Sequence, residues 1–127
     1  MRIGGNRAGT TVDRGREAER LAADYLGSRG LRIIERNFHC RGGEIDLIAE
    51  TGDELVFVEV RYRTRAGYGS AADSVTATKQ RRIILAARHY LAHHPERASQ
   101  AARFDVLAID GAEPLRFNWI VAAFTAF

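Results

Sequence analysis

The chain has 127 residues, of which 46% are hydrophobic and 28% charged, with a net charge of +3 and a sequence pI near 9.5. That length fits one domain with its own core, and the single cysteine, Cys40, excludes an internal disulfide. No apolar run has membrane-spanning length, no Cys/His cluster has zinc spacing and no signal-peptide pattern opens the chain, so a cytoplasmic protein with no membrane association is expected.

Lys79 is the only lysine, so the positive charge is almost entirely arginine. A basic balance of this size is compatible with a polyanionic partner, because Lys and Arg neutralise phosphates and release counterions.

Residues 1–12 carry Gly4, Gly5 and Gly9 among polar neighbours with little to bury, and read as a flexible arm ahead of a single domain over 13–127. Ala18, Leu21, Ala22, Tyr25 and Leu26 fall at i, i+3, i+4, i+7 and i+8 and predict a helix, with Asp13 as its N-cap and Gly30 as its stop. A strand is expected over 31–38, then a turn at Arg41-Gly42-Gly43. Two further strands, 44–49 and 55–62, are rich in Ile, Val and Leu and are joined by Thr51-Gly52-Asp53-Glu54, which suits a tight hairpin.

Residues 64–78 are small and polar and predict a loop that contains Tyr68, a candidate for base stacking or for turn packing. Ile83, Ile84, Ala87, Tyr90 and Leu91 form a second helical stripe, stopped by Pro95, with His93 and His94 placed to serve its C-terminal dipole. A fourth strand is expected over 104–109, with Asp105 as a partner for a nearby arginine. After a turn at 111–114 come a short strand near 115–118 and an apolar tail, including Trp119, that packs back on the core. The order α-β-β-β-α-β plus a tail predicts an α/β fold, a mixed sheet with helices packed on it.

The hairpin raises the functional question. With Gly52-Asp53 at the centre of the turn, Asp46 lies opposite Glu59, Glu44 opposite Arg61 and Ile48 opposite Phe57; a three-residue loop would instead put the acids on opposite faces. In the two-residue register Ile45, Leu47, Ala49, Val56, Val58 and Val60 share one apolar face. Glu44, Asp46, Ile48, Phe57, Glu59 and Arg61 share the other. Two carboxylates held side by side repel unless something positive lies between them. Arg61 is one candidate and a divalent cation the other, since Mg²⁺ commonly takes one or two carboxylates and keeps waters for a phosphate substrate. A solvated sheet face carrying a Glu44–Arg61 ion pair is the alternative.

The segments GREAERLAADYL, ERNFHCRGGEIDLIAE, VFVEVRYR and TATKQRRIILAARHYL resemble the YraN-type uncharacterised bacterial family. An Asp on one strand and Glu-x-basic on the next, after a helix carrying a Glu, also resembles the PD-(D/E)xK nuclease superfamily, and in particular the archaeal Holliday-junction resolvases. The resemblance runs from about Gly15 to Ile109. It implies a restriction-endonuclease-like core and a site that uses Mg²⁺ or Mn²⁺. Asp46 and Glu59 would be the metal-binding acids, the backbone carbonyl of Val60 a further ligand, and Glu19 the acid of the first helix. Arg61 stands where the superfamily usually has Lys, and Lys79 with Gln80 matches the basic or amide position of the next helix.

Arg36, Asn37 and Arg41 beside the hairpin, and Arg81, Arg82 and Arg88 on the second helix, are candidates for nucleic-acid contacts. The implied activity is endonucleolytic cleavage of DNA, with branched junctions as candidate substrates and a homodimer by analogy. Arg61 is a departure, because a guanidinium stays protonated and is a poor general base. A nuclease fold that binds nucleic acid without turnover, and a protein-interaction subunit with a merely solvated charged face, are the rival readings. Salt-sensitive DNA affinity and metal-dependent turnover separate the three.

Overall fold

The computed structural model describes residues 11–63, 75–111 and 114–126. Helix α1 (Thr11–Ser28) is followed by β1 (Arg32–Cys40), β2 (Gly43–Thr51) and β3 (Glu54–Arg63), then α2 (Ala77–Ala92), a 3-10 turn (Pro95–Arg97), β4 (Ala101–Asp110) and β5 (Arg116–Phe124). The strands form one mixed sheet in the order β1-β2-β3-β4-β5. All neighbours are antiparallel except β3 and β4, which run parallel and are bridged by the segment containing α2. A parallel pair needs such a long crossover, whereas an antiparallel pair can close with two residues.

Helix α1 packs on one face of the sheet. Ala18, Ala22, Ala23 and Leu26 are buried there against Leu47, Ala49, Val56, Val58, Leu107 and Ile109. The small alanines let the helix approach the strands closely. Its end follows from Gly30, at φ +98, which turns the chain so that the Leu31 N–H reaches the Leu26 carbonyl at 3.1 Å. The helix begins at Thr11, so Asp13 lies inside its first turn rather than capping it, and Thr11 and Val12 belong to the helix rather than to an arm. The rest of that arm lies outside the described residues.

Helix α2 packs on the opposite face. Ile83, Ala86, Ala87 and Tyr90 are buried against Ile45, Ile48, Leu55, Phe57, Phe104 and Val106. Phe57 stacks on Phe104 at 5.5 Å between centroids, and Tyr90 meets Phe57 edge-on at 6.1 Å. The solvated face considered for the hairpin is therefore not solvated. Leu55, Val56, Phe57 and Val58 are at most 1% exposed. An unbroken apolar run is what a strand buried on both faces requires.

The hairpin has the expected two-residue turn: Gly52 takes φ +57, Thr51 pairs with Glu54 and Ile48 with Phe57. At the other edge the expected short strand and apolar tail are one strand, β5, running to Phe124, with a bulge where Phe104 pairs with Phe124 and Val106 with Ile120. Asp105 is the cause. It is fully buried and accepts from Arg103 Nε at 3.0 Å, Trp119 Nε1 at 2.9 Å and the Ala122 N–H at 2.9 Å. Its carboxylate takes the place of a ladder partner and holds Ala122 at φ +53. Trp119, expected to pack back on the core, is partly buried on the α1 side and spends its one donor on this acid.

Candidate functional site

The alternation of β2 breaks at Asp46. Leu47 and Ala49 pack with α1, but Ile45, expected beside them, packs with α2. Leu47–Val58 is the last ladder pair of the hairpin. Beyond it Asp46 Oδ2 accepts the Val60 N–H at 2.8 Å, so a side chain replaces a backbone acceptor. The break turns the Asp46 carboxylate towards β3 and into contact with Glu59. The two carboxyl groups come within hydrogen-bonding contact, which lowers the Asp46 carboxyl and raises that of Glu59.

Burial dominates the electrostatics of this pair. Glu59 is 3% exposed, and desolvation followed by the charge of Asp46 pushes its carboxyl up to about 7. Desolvation also raises Asp46, against the opposing hydrogen bonds from Val60 N–H and Glu59 and the charge of Lys79. Two cations approach Glu59 Oε2: Arg61 Nη1 at 3.4 Å and Lys79 Nζ at 3.6 Å. The like-charge pair expected from the register is thus present, and it is compensated by one cation from its own strand and one from α2.

Lys79 arrives by a local route. Thr76 caps α2, its Oγ1 accepting the Lys79 N–H at 3.2 Å, which sets the lysine in the first turn above the hairpin. Gly43 sets the depth. A Cβ there would run into the Arg82 carbonyl and crowd Ala86, so only glycine lets α2 settle this low on β2. The same approach changes the partner of Glu44. Instead of Arg61 across the hairpin, Glu44 meets Lys79 at 3.6 Å and Arg82 at 3.5 Å. Lys79 therefore spans Glu44 and Glu59.

Glu19 comes to the same end of the sheet from α1. Its carboxylate accepts from Asn37 Nδ2 at 2.7 Å, rather than pairing with Arg16 or Arg20. Burial and the charge of Asp46 raise its pKa; Asn37, Arg36 and His39 oppose the rise. Asn37 has φ +53, a conformation that Asn tolerates better than most residues. That tolerance is the sequence signal for a role not assigned to it, the orientation of Glu19. Among the described residues no set of three or more His, Cys, Asp or Glu side chains converges at metal-holding distance, so Glu19 stands behind the Asp46–Glu59 pair rather than within it.

The remaining candidates lie around this centre. Gln80 turns away and donates to the Val75 carbonyl at 3.1 Å. Arg81 donates to Thr78 Oγ1 at 3.1 Å on the exposed side of α2. Arg36 on β1, Arg41 in the β1–β2 turn, and Arg82 and Arg88 on α2 are exposed. Tyr68 lies outside the described residues. His93 and His94 do serve the helix end, their Nδ1 atoms meeting the carbonyls of His89 at 2.9 Å and Tyr90 at 2.8 Å. No helix among the described residues is long and apolar enough to cross a membrane.

Fold and site together define the class: a five-stranded mixed sheet with a helix on each face, which holds two acids in contact, the buried one of them met by a strand arginine and a helix lysine. Comparison with known proteins gives the family. The Uncharacterised protein family UPF0102 matches residues 18–109. A UPF0102 protein of Chromohalobacter salexigens is 55% identical over 115 residues, covering 90% of this chain and 92% of the relative. One from Dechloromonas aromatica is 54% identical over 117 residues, covering 92% of each, and one from Aeromonas hydrophila 54% identical over 112 residues, covering 87% and 84%. The chain belongs to the UPF0102 family.

Proposed function

We propose that this protein is a divalent-cation-dependent nuclease that hydrolyses phosphodiester bonds in DNA, with branched junctions as candidate substrates. The observation that carries the reading is the Asp46–Glu59 pair, a half-buried and a buried acid kept in contact at a cost in self-repulsion and desolvation. Such a cost is typical of functional sites. The donor set fits Mg²⁺ or Mn²⁺: two hard carboxylate oxygens on rigid strands, with the remaining positions left to water and phosphate.

Asp46 and Glu59 would hold the cation, with the Val60 carbonyl beside them and Glu19 acting from behind. When bound, a cation in such a site lowers the pKa of its water and neutralises charge on the phosphate. Arg61 cannot act as a base, but its guanidinium can stabilise charge that develops on the phosphate oxygens. Lys79 brings from α2 the ammonium that the nuclease resemblance places on the strand. Gln80, donating to Val75, supports the start of α2 rather than the chemistry. Arg36 on β1, Arg41 in the β1–β2 turn, and Arg81 and Arg82 on α2 are exposed and would meet the DNA backbone. On a two-fold symmetric junction two copies of the chain would act together.

A second reading has its own support. Arg61 and Lys79 both pair with Glu59, as they would in a site that has exchanged its cation for internal charges and only grips nucleic acid. Cleavage of labelled duplex, single strand, flap and four-way junction with Mn²⁺ or Mg²⁺ separates the two. The nuclease reading expects cutting that disappears in Asp46→Ala and Glu59→Ala. Salt-sensitive binding without cutting on any substrate would establish the binding module instead.

A further inference from the structure

The face of the sheet that carries Glu59 continues past α2. On β3, Leu55 and Phe57 pack with α2 while Val56 and Val58 pack with α1, so Glu59, Arg61 and Arg63 share the α2 side. On β4 the same side holds Phe104, Val106 and Ala108, and hence Asp110; on β5 it holds Ile120, and hence Asn118 and Arg116. The register aligns these residues in two rows, Arg61–Ala108–Asn118 and Arg63–Asp110–Arg116. Helix α2 sits mainly over β2 and β1. Arg63, Ala108, Asp110, Arg116 and Asn118 of these rows, with Ile109 and Phe117, line an open concavity of about 330 Å³.

We infer that this concavity is a second nucleic-acid subsite, which takes a backbone phosphate away from the reacting one, with Arg116 and Arg63 as its cations. The inference rests on the nucleic-acid reading above and adds a path for the strand. Arg61 links the two places, since it touches Glu59 and begins the first row. Arg63 lies four residues beyond Glu59, roughly 13 Å along β3, and Arg116 is a further two strands across, about 10 Å. A stacked strand advances about 3.4 Å per nucleotide, so the phosphate held here is about four or five nucleotides from the reacting one. Arginine suits the task because its planar fork grips phosphate oxygens bidentately. Asp110 stands between the two arginines in the row and repels a phosphate, so the site has an internal sign test.

The test measures binding of labelled linear duplex and four-way junction DNA by fluorescence anisotropy over a range of salt concentrations. Arg116→Gln is expected to weaken binding about tenfold and to lower the salt slope by about one. Asp110→Asn is expected to tighten it severalfold. Arg20→Gln, on the exposed face of α1 where Arg20 pairs with Glu17 and Asp24, removes the same charge elsewhere and is expected to stay within about twofold of wild type. Equal effects of Arg116→Gln and Arg20→Gln, in a wild type that binds with a clear salt slope, would overturn the subsite and leave the nucleic-acid reading standing. A wild type with no salt-sensitive binding would overturn both.

Discussion

Replacing Glu59 by Gln should stabilise the metal-free protein at alkaline pH. In the fold the Glu59 carboxyl titrates at about 7 instead of 4.5, because ionising it means burying a second negative charge beside Asp46. Between those two values the folded state holds a proton that the unfolded state has released. Stability therefore falls as pH rises through that window and levels off above it. A rise of about 2.5 units at about 1.36 kcal/mol each costs about 3 kcal/mol by pH 8. Glutamine keeps the shape and a hydrogen-bond donor for Asp46 but cannot ionise. The loss of the ion pairs with Arg61 and Lys79 is already contained in that figure, because both cations act against the rise of the Glu59 carboxyl. A net gain of about 3 kcal/mol at pH 8 is expected, shrinking towards zero near pH 5. Urea unfolding in EDTA at both pH values reads it directly. A variant less stable than wild type at pH 8, or a difference that does not change with pH, would refute the reasoning.

Other consequences follow from the same geometry. Gly43→Ala should cost about 1–3 kcal/mol through the clash with the Arg82 carbonyl, and by lifting α2 it should also draw Lys79 away from Glu59; thermal unfolding and cation affinity should fall together. Asp105→Ala leaves Arg103 and the Ala122 N–H without their buried acceptor and should cost about 3–5 kcal/mol, with a shift in Trp119 fluorescence in the surviving folded fraction. Under the nuclease reading, Arg61→Ala should lower kcat about tenfold to a thousandfold with little change in DNA affinity, measured by single-turnover cleavage beside equilibrium binding. A loss of affinity alone would make Arg61 a docking residue.

Much of this architecture was legible in local pattern. The Gly52-Asp53 turn fixed the hairpin register, and with it the meeting of Asp46 and Glu59. The two helical stripes located α1 and α2. What failed did so for non-local reasons. Strict alternation predicted Ile45 beside Leu47, but the Asp46 side chain takes a backbone donor and re-aims the strand there. Nothing near Glu44 in sequence announces Lys79 and Arg82, which reach it only because α2 lies low over Gly43. The run LVFV did carry a signal of burial on both faces, which the charged neighbours masked. Asp105 reads locally as one acid inside an apolar strand. Its three donors come from positions 2, 14 and 17 residues away, so the bulge and the full length of β5 became visible only in the folded chain.

The central claim is that the Asp46–Glu59 pair is a divalent-cation centre, and calorimetric titration of Mn²⁺ into the wild-type protein at pH 7 tests it most directly. With Glu59 titrating at about 7, and so about half protonated at pH 7, binding should release about half a proton, and the heat should depend on the ionisation enthalpy of the buffer. Affinity should fall at least tenfold in Asp46→Asn and in Glu59→Gln. Absence of binding, or affinity and proton release unchanged in both variants, would contradict the account and leave the pair as an internal ion cluster closed by Arg61 and Lys79.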